Sequence, residues 1–114
     1  MSTRNDSPRD SLLQGTLDLL VLRVLALGPH HGHGIAIAIQ TRSGHTLLID
    51  HGSLYPALQR LALDGYIKAE WGTSDNNRRA RFYTLTAAGR KRLAAEREEF
   101  ERVVAAMRLV LDFA

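Results

Sequence analysis

Residues 53–85 read SLYPALQRLALDGYIKAEWGTSDNNRRARFYTL, and this stretch decides the fold. Its first part, 53–64, predicts a helix capped by Ser53, because serine is a favoured N-cap residue. Pro56 is compatible with that helix, since it falls in the first turn. Leucines at positions 54, 58 and 61 recur at helical spacing and predict a buried stripe, which turns Pro56, Gln59, Arg60 and Leu63 outward.

The second part of the stretch predicts a β-hairpin. Gly65 ends the preceding helix, and residues 66–71 and 80–85 then have the character of strands. The polar tract GTSDNNRR between them is typical of a turn, so the hairpin has a basic, asparagine-rich tip.

Two further helices are predicted upstream. Ser11 and Gln14 have the spacing of a capping box, and an apolar helix over about residues 12–27 follows, ending at Gly28-Pro29. That helix is apolar nearly all round, so it needs partners on more than one side, and a second subunit is one candidate. The alanine-rich segment IAIAIQTR, residues 35–42, favours a short second helix.

The last helix is predicted over 87–112, with Thr86 as its cap. Leu93, Phe100 and Met107 repeat every seven residues, which suits a helix lying against another helix. The fold class is therefore mainly α with a small β-hairpin (α+β), arranged as a winged helix-turn-helix plus a C-terminal dimerisation helix. In that arrangement the third helix enters the major groove of DNA and the hairpin, or wing, lies along the backbone beside it.

Charge and composition narrow the function further. The chain of 114 residues has a net charge of +3, and residues 42–92 hold nine basic against four acidic side chains. Such a concentration of positive charge favours a polyanionic partner, and for charge alone the alternative is a solvated face. The winged helix-turn-helix arrangement makes double-stranded DNA the expected partner. The absence of cysteine excludes disulfides and thiolate metal sites, and no apolar run is long enough to span a membrane, so a cytoplasmic protein is expected.

An ordered set of motifs resembles the PadR-like transcriptional regulators, most closely their short acidobacterial-type group. The motifs are Leu13 to Asp18, Gly28-Pro29 with His31-Gly32, Gly52 to Leu58, Asn76 to Tyr83, and Leu85-Thr86-x-x-Gly89. They cover about residues 11–110. The resemblance implies a homodimeric winged-helix DNA-binding protein, usually a repressor, whose first and last helices form the dimer interface. His33 stands where members of that family usually carry tyrosine.

The domain organisation predicted from these observations has a flexible N-terminus (1–10), a winged-helix DNA-binding domain (11–86) and a dimerisation helix (87–114). Candidate DNA-binding residues lie on the third helix and the wing: Ser53, Tyr55, Pro56, Gln59, Arg60, Asn76, Asn77, Arg78, Arg79 and Arg81. Ser53 and the start of its helix are expected to hold a phosphate. Candidate dimer-interface residues are Leu17, Leu20, Val21, Val24, Leu93, Phe100, Val103, Val104, Met107, Val110 and Leu111.

Catalytic and metal chemistry find little support. Ser53 is not in a G-x-S-x-G motif and no Gly-Lys-Ser/Thr follows the glycines of GPHHGHG, so no enzyme and no cofactor are predicted. The histidines at 30, 31, 33, 45 and 51 lack metal-ligand spacing, and a loop imidazole holding the turn into the second helix is the alternative. The remaining alternatives are a dimeric protein-interaction module and a metal-responsive switch on the same fold. Any small-molecule effector is unspecified.

Overall fold

The structure, a computed structural model, describes the backbone of residues 8–114 and the side-chain surroundings from residue 15 onward. The helices of this part are α1 (Pro8–Leu25), α2 (Gly32–Arg42), α3 (His51–Leu63) and α4 (Ala87–Leu111). Its strands are β1 (His30–His31), β2 (Ile67–Thr73) and β3 (Arg79–Leu85). The predicted α+β arrangement of helices with a hairpin before the last helix is confirmed.

The first helix begins earlier than the sequence predicted. It starts at Pro8, so Ser11 lies inside α1 and is not its N-cap, and the segment 1–7 of the expected flexible terminus lies outside the described residues. A proline suits the first helical position, since the N–H it lacks would have no partner inside the helix. The helix ends at Leu25 and continues as a turn to Gly28, close to the expected end at Gly28-Pro29.

The core lies where α1, α2 and α3 meet. Leu54 and Leu58 of α3 are fully buried, and Leu61 is nearly so, which confirms the predicted stripe. They pack in one cluster with Val21 and Leu22 of α1 and with Ile35 of α2. Removing one such leucine side chain costs about 2–5 kcal/mol in typical cores, so this cluster holds α3 firmly against its neighbours.

The predicted role of α1 in a dimer interface is wrong for most of the residues named. Leu17, Val21 and Val24 are 7%, 0% and 4% exposed and belong to the core of the single chain. Leu20 is half-buried and packs against the same cluster. An apolar helix needs partners on several sides, and here α2, α3, α4 and β3 of the same chain provide them.

The sheet has the strand order β1-β3-β2, with both pairings antiparallel. Strands β2 and β3 form the predicted hairpin in a register that places Ile67 opposite Leu85 and Thr73 opposite Arg79. Strand β1 was not predicted, because two residues are too short to show an alternating pattern. It pairs His30 with Tyr83 and His31 with Phe82, which joins the start of α2 to the wing.

A compact junction around Thr86 connects α3, the wing and α4. The hydroxyl of Thr86 donates to the carbonyl of Gly65 at 2.7 Å and accepts from the backbone N–H of Gly89 at 3.0 Å. The N–H of Thr86 donates to the carbonyl of Tyr66 at 3.1 Å. Thr86 is therefore the N-cap that the sequence predicted, and it also ties the end of β3 to the residues just after α3.

Helix α4 extends from this junction with charged side chains on much of its surface. Glu96, Glu99 and Glu101 pair with arginines of the same helix. The guanidinium of Arg102 donates to the carboxylate of Glu99 and holds the pKa of that carboxyl below its ordinary value. Within residues 8–114, no helix combines the length and apolar character needed to cross a membrane.

Gly89 explains the Leu-Thr-x-x-Gly motif in physical terms and yields a stability prediction. A Cβ at this position would overlap the carbonyl oxygen of Tyr66 and approach Leu85 Cδ1 within 2.6 Å. We expect Gly89→Ala to destabilise the protein by about 1–3 kcal/mol, as overpacking does, measured by urea unfolding.

Gly15→Ala is the matched control, because nothing lies within 4 Å of a Cβ at Gly15 in α1. That variant should gain about 0.5–1 kcal/mol from the better helix propensity of alanine. A stabilising effect of both substitutions would contradict the close approach at Gly89.

Candidate nucleic-acid interface

Helix α3 begins with a carboxylate cap. Asp50 is the N-cap, with an extended backbone, and its Oδ1 accepts from the N–H of Gly52 at 3.2 Å. The prediction that Ser53 caps the helix is therefore wrong: Ser53 lies in the first turn and its hydroxyl donates to Asp50 Oδ2 at 3.4 Å. The cap lies three residues earlier because Asp50 is itself a strong cap residue. A negative charge already occupies this helix start, so the expected phosphate site at Ser53 is not supported.

The outward face of α3 carries Tyr55, Pro56 and Gln59. All three are exposed, with Tyr55 at 44%, while Leu54, Ala57 and Leu58 of the same turns are buried. This division follows from the helical period, which places the side chains opposite the leucine stripe in solvent. These three side chains are therefore available to a partner.

Arg60 is positioned differently from these three side chains. Its Nη2 lies 2.7 Å from Oδ1 of Asp18, so the guanidinium is held against α1. Asp18 is 42 residues away in sequence, which is why the sequence pattern could not show this pair. The expectation that Arg60 reads bases beside Tyr55 and Gln59 is not supported by this geometry.

The tip of the wing is a tight turn over residues 74–78. The N–H of Ser74 donates to the carbonyl of Arg78, and the N–H of Asn77 donates to the carbonyl of Ser74, each at 2.8 Å. Asn77 has a φ of 61°, a left-handed conformation that asparagine tolerates better than most residues. Asn77 thus shapes the turn, and Arg79, directly after the turn, starts strand β3.

Trp71 lies under the arginines of the wing. It pairs directly with Arg81 across the hairpin, and Arg79 lies two residues along the same strand, on the same face. The guanidinium carbons of Arg79 and Arg81 lie 4.7 Å and 5.9 Å from the centre of the Trp71 ring. The ring supports both guanidinium groups by cation–π attraction. Trp71 is 60% exposed, so the guanidinium groups remain open to solvent.

A groove of about 850 Å³ separates α3 from the wing. It brings together most of the predicted DNA-binding residues: Tyr55, Pro56, Gln59, Asn76, Arg78, Arg79 and Arg81. Ser53 and Arg60 are outside its lining, and Asn77 borders a smaller pocket beside Trp71 and Arg79. One wall is thus a helix with neutral polar groups, and the other is a strand with several positive charges.

Sequence reasoning missed several residues of this groove: His31, His33, Trp71, Ser74 and Asp75. Trp71 could have been found from the alternation of the hairpin, since its register with Arg81 follows from the turn. The histidines carried no comparable signal, because they reach the groove through the unpredicted β1–β3 pairing.

The histidines at the start of α2 have structural partners. Nδ1 of His31 accepts from the N–H of Gly34 at 3.0 Å, so His31 is the N-cap of α2, the alternative role considered for a loop imidazole. The ring of His33 lies nearly parallel to that of His31 and to that of His51. In the part of the chain that the structure describes, no group of three or more His, Cys, Asp or Glu residues is arranged to hold a metal ion.

Comparison with known proteins places this architecture among regulators of transcription. The sequence profile of the Transcriptional regulator PadR-like family matches residues 21–95. A transcriptional regulator of Mycobacterium tuberculosis is 38% identical over 71 residues, which are 62% of this chain and 64% of that protein.

Solved structures agree with this similarity. A transcriptional regulator from Clostridium thermocellum is 28% identical and superposes with a TM-score of 0.78 over 86% of this chain and 95% of that one. A PadR family transcription regulator from Clostridium difficile is 26% identical, with a TM-score of 0.69 over 83% of this chain and 97% of that one. Both the fold and the sequence pattern are therefore shared.

The capping of α3 can be tested by stability. Asp50→Ala removes the side chain that accepts from the helix start, and we expect a loss of about 1 kcal/mol in the free energy of unfolding. Ser53→Ala should change it by less than about 0.5 kcal/mol, because Ser53 is an exposed residue inside the first turn. Urea unfolding followed by circular dichroism measures both, and a larger loss for Ser53→Ala would restore Ser53 as the cap.

Proposed function

The chain belongs to the PadR-like family of transcriptional regulators, and we propose that it is a repressor that binds a two-fold symmetric DNA operator as a homodimer. The observation that carries this proposal is the groove between α3 and the wing, which is lined by Gln59 and Tyr55 on one side and by Arg78, Arg79 and Arg81 on the other. The family regulates transcription, and the groove is the surface of this chain best suited to hold DNA.

In the proposed complex, α3 enters the major groove of DNA. Gln59 lies on the exposed face and carries an amide, which can form a bidentate pair with adenine. Tyr55 lies one turn earlier on the same face, so both side chains reach the same DNA half-site. Pro56, beside them, makes van der Waals contact with the DNA. These neutral groups read the sequence.

The wing anchors the phosphate backbone. Arg79 and Arg81 project from one face of β3 above the Trp71 ring, and Arg78 lies in the turn just before that strand. Contacts of this kind fix the orientation of the protein on DNA and carry no base information. Asp75 in the same lining is the acidic exception, so the net charge of this wall is positive.

The dimer is proposed to form through α4. Phe100 and Met107 repeat every seven residues, Val103 and Val110 take the second seam position, and all four are exposed. Leu111, which is exposed, and Val104, which is half-buried, lie beside them. Leu93 packs instead against the core of its own chain. Because much of the α1 surface is committed to that core, the interface is built mainly from the C-terminal half of α4.

The proposed repression results from the dimer occupying its DNA operator. A dimer that spans two successive major grooves covers DNA that the transcription machinery would otherwise use, and we place this activity in the cytoplasm.

A protein-interaction module on the same fold would not prefer one duplex sequence over another. A metal-responsive switch would require a bound metal for DNA binding. The first of these alternatives is an outcome of the measurements below.

Two substitutions separate base reading from backbone anchoring. Gln59→Ala should weaken binding to a duplex selected from a random pool by about 1–3 kcal/mol and relax the preference at one half-site position. Arg79→Ala should weaken binding to all duplexes alike and lower the slope of log K against log salt by about one. Fluorescence anisotropy of labelled duplexes at several salt concentrations measures both quantities.

Arg97→Ala is the control for charge, since Arg97 lies on α4, pairs with Glu101 and does not line the groove. It should leave the salt slope unchanged. Equal binding of selected and random duplexes by the wild type would reject the repressor and leave the interaction module.

The dimer prediction uses a charge placed in the apolar face of α4. Met107 is 49% exposed in the single chain, and Met107→Asp should weaken the dimer severalfold or more, because association would bury an unpaired carboxylate. Ala105→Asp places the same charge on the opposite side of the helix and should have little effect. Sedimentation velocity at micromolar concentration distinguishes them, and a monomeric wild type would contradict the proposal.

A further inference from the structure

A ladder of aromatic rings crosses from α2 to α3 at the edge of the groove. The ring of Tyr55 stacks on that of His51 at 5.6 Å between centroids, with 24° between the ring planes. His51 in turn stacks on His33 at 5.6 Å and 14°, and His33 lies 6.5 Å from His31. Offset stacks at these separations are favourable for aromatic rings.

His51 is the ring of this ladder that stacks on Tyr55. His51 and Tyr55 are four residues apart on α3, so they face the same side of the first turns. His33 belongs to the first turn of α2 and also stacks on the His51 ring. The imidazole of His51 is therefore in contact with two other rings, one of which is Tyr55.

Gly32 bounds Tyr55 from another direction. A Cβ built on Gly32 would lie 2.7 Å from Cε1 and 2.8 Å from the hydroxyl oxygen of Tyr55. Gly32 is buried and is not among the residues with positive φ, so what the glycine provides here is space. The phenol thus lies directly against the backbone at the start of α2, with His51 beside it.

We propose that His51 and Gly32 are positioning residues for DNA sequence recognition. They hold the Tyr55 phenol in one orientation at the base of the groove, one turn before Gln59, so that both side chains meet the same half-site. Tyr55 is 44% exposed and would otherwise be free to rotate toward solvent. This inference rests on the proposed function, since it concerns how the protein selects its operator.

The proposed effect is a smaller loss of side-chain conformational entropy when DNA binds. A side chain that is already ordered before binding loses less entropy when it contacts a base, and this raises affinity only where the contact is correct. Neither His51 nor Gly32 needs to touch DNA for this effect. Their loss should therefore reduce the preference for the operator while leaving the backbone contacts of the wing intact.

The test compares affinities for a duplex selected from a random pool and for a random duplex. We expect His51→Ala to lower the ratio of the two affinities by about threefold to tenfold, the range that one aromatic pair supplies. Gly32→Ala should have a similar effect, because its methyl group displaces a ring that has room to move outward. The salt slope should stay at the wild-type value in both variants, since the wing arginines are unchanged.

Rescue and coupling distinguish positioning from a general structural role. His51→Phe retains a flat ring in the ladder and should retain the wild-type ratio. In a Tyr55→Ala background, His51→Ala and Gly32→Ala should cause no further loss, because the side chain they act through is absent. Gly15→Ala, at an open helical position, is the control for adding a methyl group.

Several results would overturn the proposal. These are an unchanged ratio in His51→Ala, a loss in His51→Phe as large as in His51→Ala, or additive losses in the Tyr55→Ala background. If Gly32→Ala fails to fold, as judged by circular dichroism, the His51 variants decide alone. A wild-type protein that binds both duplexes equally would remove the proposed function itself, whereas a wild-type preference that survives these substitutions would remove only the positioning role.

Discussion

Burial of one face of α3 against α1 and α2 is the constraint on which the rest of the structure depends. Leu54 and Leu58 have no exposed surface, and they meet Val21, Leu22 and Ile35 in one cluster. A helix cannot bury this face without presenting the opposite one, so Tyr55 and Gln59 are turned outward by the same packing. The surface proposed to read DNA is thus a consequence of the core, and its orientation is as stable as the core itself.

The second wall of the groove depends on hydrogen bonds at the base of the hairpin. Thr86 bonds to Gly65, Tyr66 and Gly89, so the hairpin and α4 start from fixed positions beside the end of α3. The pairing of β1 with β3 adds a second attachment, which brings the histidines at the start of α2 to the same groove. The arginines that line the groove, Arg78, Arg79 and Arg81, all belong to the wing, while Asp50 occupies the start of α3. The proposed backbone anchoring and the proposed base reading therefore use different walls.

The sequence by itself determined the order of the helices and the hairpin, the buried stripe of α3 and the cap at Thr86. Each of these depends on residues within a few positions of one another, whose spacing and hydrogen-bonding capacity act locally. The same local chemistry placed the arginines of the wing and the outward face of α3 in the candidate site. At the start of α3 the sequence pattern predicted Ser53 as the cap, whereas Asp50 performs this role.

The tertiary structure alone decided which surfaces meet. It buried Leu17, Val21 and Val24 in the core of the chain where a subunit interface was expected, and it paired Arg60 with Asp18 across 42 residues. It also stacked His33 on His51 and placed Trp71 beneath the wing arginines. An apolar or charged side chain specifies that it needs a partner but not which one, because the choice depends on how the helices pack in three dimensions.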